Sequence, residues 1–294
     1  TSSAAFPTSG EIRIGTEDIS FTANDTSTGI LSGGSRAVNG TTLAGHTAGA
    51  TITNISDYVA WGEASSADFT INPTGTRATI IAGAPTASRH MLVSPVDRHL
   101  IFLGTETTIG DSTTQDDMFI RFSDQESLSE YTPTATNTAG TQRLAQGSRI
   151  IGAIRGRDTM YIWTDAALFL MRFVGQPFTF SFEHVGTNCG LIGKNACMEV
   201  DGTAFWMSEN GFFQYSGQLQ SMPCLVEDFV FDDLNSTPRD LINAGLNNLF
   251  GEVSWYYCSA GSDVVDRVVT YNYLESVMLK KPIWYTGTLA RTAW

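Results

Sequence analysis

Charge is the scarcest commodity in this chain. Only 16% of its 294 residues are Asp, Glu, Lys or Arg, where about a quarter is usual. The surface must therefore be polar through Ser, Thr, Asn and Gly. Basic residues are fewer still: 17 Lys and Arg against 30 Asp and Glu give a formal net charge of −13. The densest basic spot is "LKK" at Leu279–Lys281, which argues against a surface that grips nucleic acid through its phosphates. Cysteine is sparse. Cys189, Cys197, Cys224 and Cys258 form no CxxC, and His46, His90, His99 and His184 lie far apart, so the spacing of a zinc site is missing. Small buried hydrophobes are the expected role of these cysteines, with a disulfide as the lesser option. No apolar run approaches the ~20 residues of a membrane-spanning helix. The chain opens "TSSAAF" without a Met and stops at "GTLARTAW", so a piece of a longer polypeptide is expected.

Hydrophobic patterning is plentiful. Aromatic residues make up 11% of the chain, enough for a sizeable core. From Phe6 to Ile55, apolar and polar residues alternate: Ile12 and Ile14 against Glu11 and Arg13, then Ile19 and Phe21 against Asp18 and Ser20. Turn residues separate the runs, and Asn39-Gly40 is a strong hairpin signal. This predicts a small β module over residues 1–57 and a second, larger β region over 58–294. In residues 58–85, "DYVAWGEA" and "TRATIIAGAP" are strand-like.

From Thr86 onward, apolar strands recur with tight turns between them. "HMLVSPVDRHLIFLGT" reads as a strand pair; "SRIIGAIRGRDTMYIWTDAALFLMRFV" predicts strands at 150–154, 160–163 and 167–173; "NACMEVDGTAFWMSENGFFQYSG" and "LFGEVSWYYCSAGSDVVDRVVTYNYLES" give further sets. Two sets superpose at an offset of 44 residues, placing Tyr161 on Phe205, Ile162 on Trp206, Leu168 on Phe212 and Phe169 on Phe213. Short strands repeating at this period suggest propeller blades. A β-sandwich would have similar strand density, but each unit here reads as successive up-and-down strands. The expected class is all-β, a propeller-like core with an N-terminal β module and very little helix. One short helix is expected in "PRDLINAGL", capped by Ser236 or Thr237, with Pro238 at its first position.

Catalytic constellations are absent from the pattern. Asp111, Asp116, Asp117, Asp124 and Glu126 cluster, but "DSTTQDD" lacks the EF-hand spacing and reads as a solvated loop. Glu227-Asp228 and Asp232-Asp233 flank "FVF", read as acidic pairs around a strand. No GxSxG occurs. "GTNCG" and "GLIGKNA" imitate a phosphate cradle without its frame and read as a turn linking two blades. "RGR" at Arg155–Arg157 reads as an exposed hairpin turn. The expectation is no enzyme: no catalytic, cofactor-binding or metal-binding residue, and no cofactor.

Motifs in the second region do carry a resemblance. "SDQESL", "YTPTATNTAG", "WTDAALFLM", "NCGLIG" and "FWMSENGFF" follow one another, and the chain over roughly residues 59–294 resembles the tail nozzle protein of short-tailed bacteriophages, also called tail tubular protein B. The resemblance implies a virion structural protein in the tail, assembled in the host cytoplasm. Six copies would form a homo-oligomeric ring that closes the distal tail channel, retains the genome and passes DNA during ejection without binding it specifically. The implied partners are the tail adaptor or tubular protein and the tail fibre or spike proteins, with the host surface as a further contact. The N-terminal unit resembles a small β module spliced into phage structural proteins. A net charge of −13 suits a conduit that repels phosphates. Two rival readings are a propeller module binding carbohydrate through Trp61, Trp255 or Trp284, and a glycan-degrading enzyme using Asp111, Asp117, Asp124 and Glu126. The Thr/Asn-rich stretch from Ser123 to Leu144 is expected to be an inter-blade or inter-subunit strap.

Overall fold

A computed structural model describes residues 9–38, 41–50, 52–54, 59–61, 78–81, 83–94 and 97–289. The described residues are 45% strand and 8% helical, and the chain belongs to the all-β class. Its contacts divide it into two compact units, Thr1–Ala82 and Gly83–Trp294.

In the first unit, β1 (Gly10–Ile14) and β2 (Glu17–Phe21) form an antiparallel hairpin that turns at Gly15. β5 (Arg36–Val38) and β6 (Ile52–Asn54) flank it in the order β5-β2-β1-β6. Two short ribbons stand apart: β3 (Ala23–Asp25) with β4 (Ile30–Ser32), and β7 (Val59–Trp61) with β8 (Ala78–Ile80). The alternation places Ile12 and Phe21 in the interior as the sequence implies. It does not reveal that Glu17 and Asp18 are buried too. Each is neutralised from the neighbouring strand: Arg36 Nε donates to Glu17 at 2.9 Å and Arg13 Nε to Asp18 at 2.6 Å. Glu17 also accepts from the backbone N–H groups of Ala37 and Ala44 and lies 2.9 Å from His46 Nε2. One carboxylate thus pins the 41–50 segment to the sheet. The Asn39-Gly40 turn lies outside the described residues.

The Arg36 hydrogen bond, opposed by burial and helped by Ala44 and His46, holds the Glu17 carboxyl at about 2. A depressed folded-state value means that the carboxylate's contribution is complete above its unfolded value of about 4.3 and is lost as pH falls through the folded one. Protection of the Ala44 amide, measured against its intrinsic exchange rate at each pH, is therefore expected to fall between about pH 4.3 and 2. Glu17→Gln should make that protection low and independent of pH. Equal protection in the variant would remove Glu17 from this role.

The second unit is four consecutive four-stranded meanders. The first comprises β9 (His90–Val93), β10 (Leu100–Leu103), β11 (Phe119–Phe122) and β12 (Gly140–Arg143). The second comprises β13 (Ile150–Arg155), β14 (Met160–Thr164), β15 (Ala167–Gly175) and β16 (Thr179–Thr187). The third is β17 (Cys197–Val200), β18 (Thr203–Ser208), β19 (Gly211–Tyr215) and β20 (Leu219–Met222). The fourth is β21 (Asn243–Asn247), β22 (Glu252–Tyr257), β23 (Arg267–Asn272) and β24 (Trp284–Thr288). Every neighbouring pair within a sheet is antiparallel and sequential, the pattern of propeller blades. The offset of 44 residues is reproduced in register. Trp163 pairs with Leu168 and Met207 with Phe212; Ile162 pairs with Phe169 and Trp206 with Phe213.

The first strands lie side by side: β13 touches both β9 and β17, and β17 touches β21. Asn195, just before β17, forms a parallel bridge to Asn243 at the start of β21. All four first strands therefore begin at one end of the unit. The core runs between the second to fourth sheets around Trp163, Trp206, Trp255, Tyr257 and Phe212, all fully buried. A separate cluster of Ile101, Leu103, Ile120, Phe122, Ile162 and Met171 joins the first sheet to the second. Trp206 Nε1 donates to the Cys189 carbonyl at 2.8 Å and Trp255 Nε1 to that of Ala196 at 3.0 Å. These bonds satisfy polar tips that burial would otherwise penalise.

Among the described residues, helix falls in two places that the hydrophobic pattern did not mark, and is missing from the one expected. "EDFVFD" is α1 (Glu227–Asp232) rather than a strand; it buries Val230 and exposes Phe229. α2 (Tyr273–Leu279) joins β23 to β24, with Asn272 Oδ1 capping the Glu275 N–H at 2.8 Å. "PRDLINAGL" instead forms a single 3₁₀ turn, Arg239–Leu241, followed by β21. Pro238 occupies its cap position without a side-chain bond, and the Ala244 N–H pairs with the Asn195 carbonyl at 2.8 Å. Tertiary strand pairing overrides a weak local preference for helix.

Candidate functional site

Asp111, Asp116, Asp117, Asp124, Glu126 and Asp233 are each held by a local partner. Asp111 accepts from Thr113 N at 3.1 Å and caps a 3₁₀ turn. Asp116 pairs with Arg143 at 2.6 Å and Asp117 with Arg89 at 2.8 Å. Glu126 pairs with Arg98 at 2.9 Å. Asp124 accepts from Thr138 Oγ1 and N at 2.6 and 2.7 Å, bonds that hold its carboxyl below the usual range. Asp233 pairs with Arg267 at 2.9 Å, while Glu227, Asp228 and Asp232 sit on α1. Among the described residues, no group of three or more His, Cys, Asp or Glu side chains comes together as a metal site. All four cysteines are free, three of them buried, and burial pushes the Cys197 thiol up to about 12.

The Ser123–Ala139 stretch joins β11 to β12 within one sheet, so it is not a strap between blades. It is tied largely to itself. Asp124 holds Thr138, and Asn137 Nδ2 donates to the Thr132 carbonyl at 2.8 Å. Tyr131 is buried on Phe102, its hydroxyl donating to the Leu128 carbonyl. Of the aromatics that could line a sugar groove, Trp255 is wholly buried and Trp284 stacks on it, donating to the Pro223 carbonyl at 2.9 Å. The Trp61 side chain lies outside the described residues.

The two ends of the second unit differ. At the N-terminal ends of the first strands is a cavity of about 340 Å³, lined by residues from all four sheets or their lead-ins. Arg89 and His90 open β9, Arg149, Ile150 and Ile151 open β13, Gly193 and Lys194 precede β17, and Thr237, Arg239 and Asp240 precede β21. Four cations, a histidine and one acid thus line the cavity, two of the cations, Arg89 and Arg239, being paired with Asp117 and Glu209. Burial holds His90 below its ordinary value; a hydrogen bond to the Ile151 backbone opposes this, and Lys194 and Arg89 reinforce it. Sequence reasoning missed the cluster because its members are scattered along the second unit. The pattern of "GLIGKNA" by itself implies only a linking turn.

At the opposite end, Arg155 and Arg157 of the "RGR" turn share an open hollow of about 620 Å³ with Glu199 and Asp201 of the next sheet. Apolar side chains dominate elsewhere on this end. The β21–β22 turn exposes Leu249 (82%) and Phe250, and α2 exposes Leu274, Val277 (78%), Met278 (79%) and Leu279. The two segments adjoin: the Tyr273 N–H donates to the Gly251 carbonyl at 2.8 Å and Asn272 Nδ2 to that of Phe250 at 3.2 Å. The β15–β16 turn adds a second exposed patch, Val174 and Phe178.

The second unit is thus an all-β protein of serial four-stranded meanders with a cationic cavity at one end and apolar tips at the other. No family model and no curated protein sequence matches the chain.

Proposed function

We propose that the chain is a structural subunit that assembles with copies of itself into a ring, and that this ring is a bacteriophage tail nozzle. In this reading the four meanders are blades of a propeller. Neighbouring subunits enclose a channel that retains the genome and passes DNA, and the tail adaptor and the fibre or spike proteins bind the ring's two sides. The sequence motifs between Ser123 and Phe213 favour the nozzle over other rings.

The observation that carries the assembly is the exposed apolar surface. Single exposed hydrophobics are ordinary, but adjoining ones from the β21–β22 turn and α2 mark an interaction site. A second, unlike patch stands on the β15–β16 turn. Closed rings with more than two members need two unlike surfaces that meet head to tail. The low density of charge lowers the cost of desolvating the rest of such an interface.

Mass photometry and negative-stain imaging of the purified chain test this. The expected result is a six-fold ring. Val277→Asp with Met278→Asp should weaken assembly by roughly a hundredfold or more while leaving the circular dichroism of the chain unchanged. A stable monomer at the highest attainable concentration, or a ring indifferent to both substitutions, overturns the reading.

A further inference from the structure

We propose that the cavity at the N-terminal ends of the four first strands is a binding site for a phosphate-bearing anion. The site goes beyond the assembly reading and does not depend on it, since all of its residues belong to the second unit of a single chain.

Two kinds of cation line the cavity. Arg89 and Arg239 are braced. Arg89 binds Asp117 through Nε and Nη2 at 2.9 and 2.8 Å. Arg239 binds Glu209 through Nη1 and donates from Nε to the Ser236 carbonyl at 2.9 Å. A guanidinium has five N–H donors, so each brace fixes the plane and leaves an edge of donors for a ligand. Arg149 and Lys194 are different: neither makes an ion pair or a side-chain hydrogen bond among the described residues. Two preoriented guanidinium planes and two unneutralised charges suit a multivalent oxyanion, which accepts several charge-assisted bonds at once.

The rest of the molecule sharpens the contrast. The lining holds four cations and one carboxylate, Asp240; with Arg89 and Arg239 paired to Asp117 and Glu209, the site keeps a positive excess through Arg149 and Lys194 in a chain that carries −13 as a whole. An anion repelled elsewhere is focused here. The walls are built rather than incidental. Without a Cβ, Gly193 lets the Arg239 carbonyl close on it, and a Cβ at Gly152 would stand 2.8 Å from the Lys194 carbonyl. Ile150 and Ile192 are buried beneath the charged groups. A volume of about 340 Å³ lies at the lower end of ligand clefts, the size of a small polyphosphate or a few backbone phosphates.

Calorimetric titration of the whole chain with inorganic tripolyphosphate at low and at physiological salt tests the site. One saturable site per chain is expected, weakening as salt rises. Arg149→Glu with Lys194→Glu should reduce affinity by roughly tenfold or more, because two attractions become repulsions. Lys280→Glu with Lys281→Glu makes the same change of net charge far from the cavity and should leave affinity within about twofold. Absence of saturable binding overturns the proposal, as does an equal loss in the two double variants. A short single-stranded oligonucleotide distinguishes the sources. Binding with the same sensitivity to Arg149 and Lys194 identifies a phosphodiester backbone as ligand; binding of tripolyphosphate alone identifies a free polyphosphate.

Discussion

Trp206→Ala is expected to lower the stability of the second unit by about 3–5 kcal/mol, the range for emptying a large aromatic site in a packed core. Trp206 is fully buried, stacks on Phe213 with ring centroids 5.8 Å apart and contacts Trp163 at 5.4 Å. Its Nε1 donates to Cys189 in the connector from the second sheet, while the residue itself belongs to β18 of the third. Truncation therefore opens a cavity between two sheets and orphans a buried carbonyl. Trp206→Phe keeps most of the apolar contact but loses the bond, so it should cost less, about 1–3 kcal/mol. Five of the six tryptophans lie in the second unit, so intrinsic fluorescence follows its unfolding. With a urea slope of about 2–3 kcal/mol per molar, the Trp206→Ala midpoint should fall by about 1–2 M. An unchanged midpoint would mean that the sheets do not meet through this residue.

The same tryptophan shows what the sequence makes legible. Aligning Trp163-Thr164-Asp165 with Met207-Ser208-Glu209 gives the correct ladder register in two sheets, because a two-residue side-chain period and a tight turn leave little freedom in a meander. Element type was readable wherever apolar runs and turns alternated. It failed where tertiary contact decided: "EDFVFD" has the β-branched and aromatic content of a strand yet packs Val230 from a helix, and "NAGLN" forms a strand because it pairs along its length with β22 and bridges to Asn195 on its other side. Charges were harder still. The alternation of β2 puts Glu17 on the inward face with Ile19 and Phe21, but it does not show what satisfies a carboxylate there, since its partners Arg36 and His46 arrive from later segments. The cationic cavity is illegible for the same reason. Arg89, Arg149, Lys194 and Arg239 are lone basic residues until four strands begin side by side.

Gly190→Ala should be among the most damaging small substitutions in the chain. Gly190 of "NCGLIG" serves close packing. The connector threads between two sheets: the Cys189 and Leu191 N–H groups donate to the Ala166 and Thr164 carbonyls at 3.3 and 3.1 Å, and the Ile192 N–H to that of Met207 at 3.1 Å. A Cβ on Gly190 would stand 2.7 Å from Ala166 N and closer still to the Asp165 carbonyl. Both are backbone atoms of the β14–β15 turn, so no side-chain rotation relieves the clash. Either the turn retreats and breaks the Cys189 and Leu191 hydrogen bonds, or the connector moves and strains all three. Overpacking of this kind costs about 1–3 kcal/mol and more where the backbone must yield; roughly 3 kcal/mol or above is expected here. Gly261→Ala is the matching control. Its Cβ would meet nothing within 4 Å and its φ lies outside the left-handed region, so the smaller entropy of the unfolded chain should leave it neutral or stabilising by up to about 1 kcal/mol. Urea midpoints of the two variants decide the point. Equal midpoints would mean that the connector does not run against the turn, and with it would go the splice that joins the second sheet to the third.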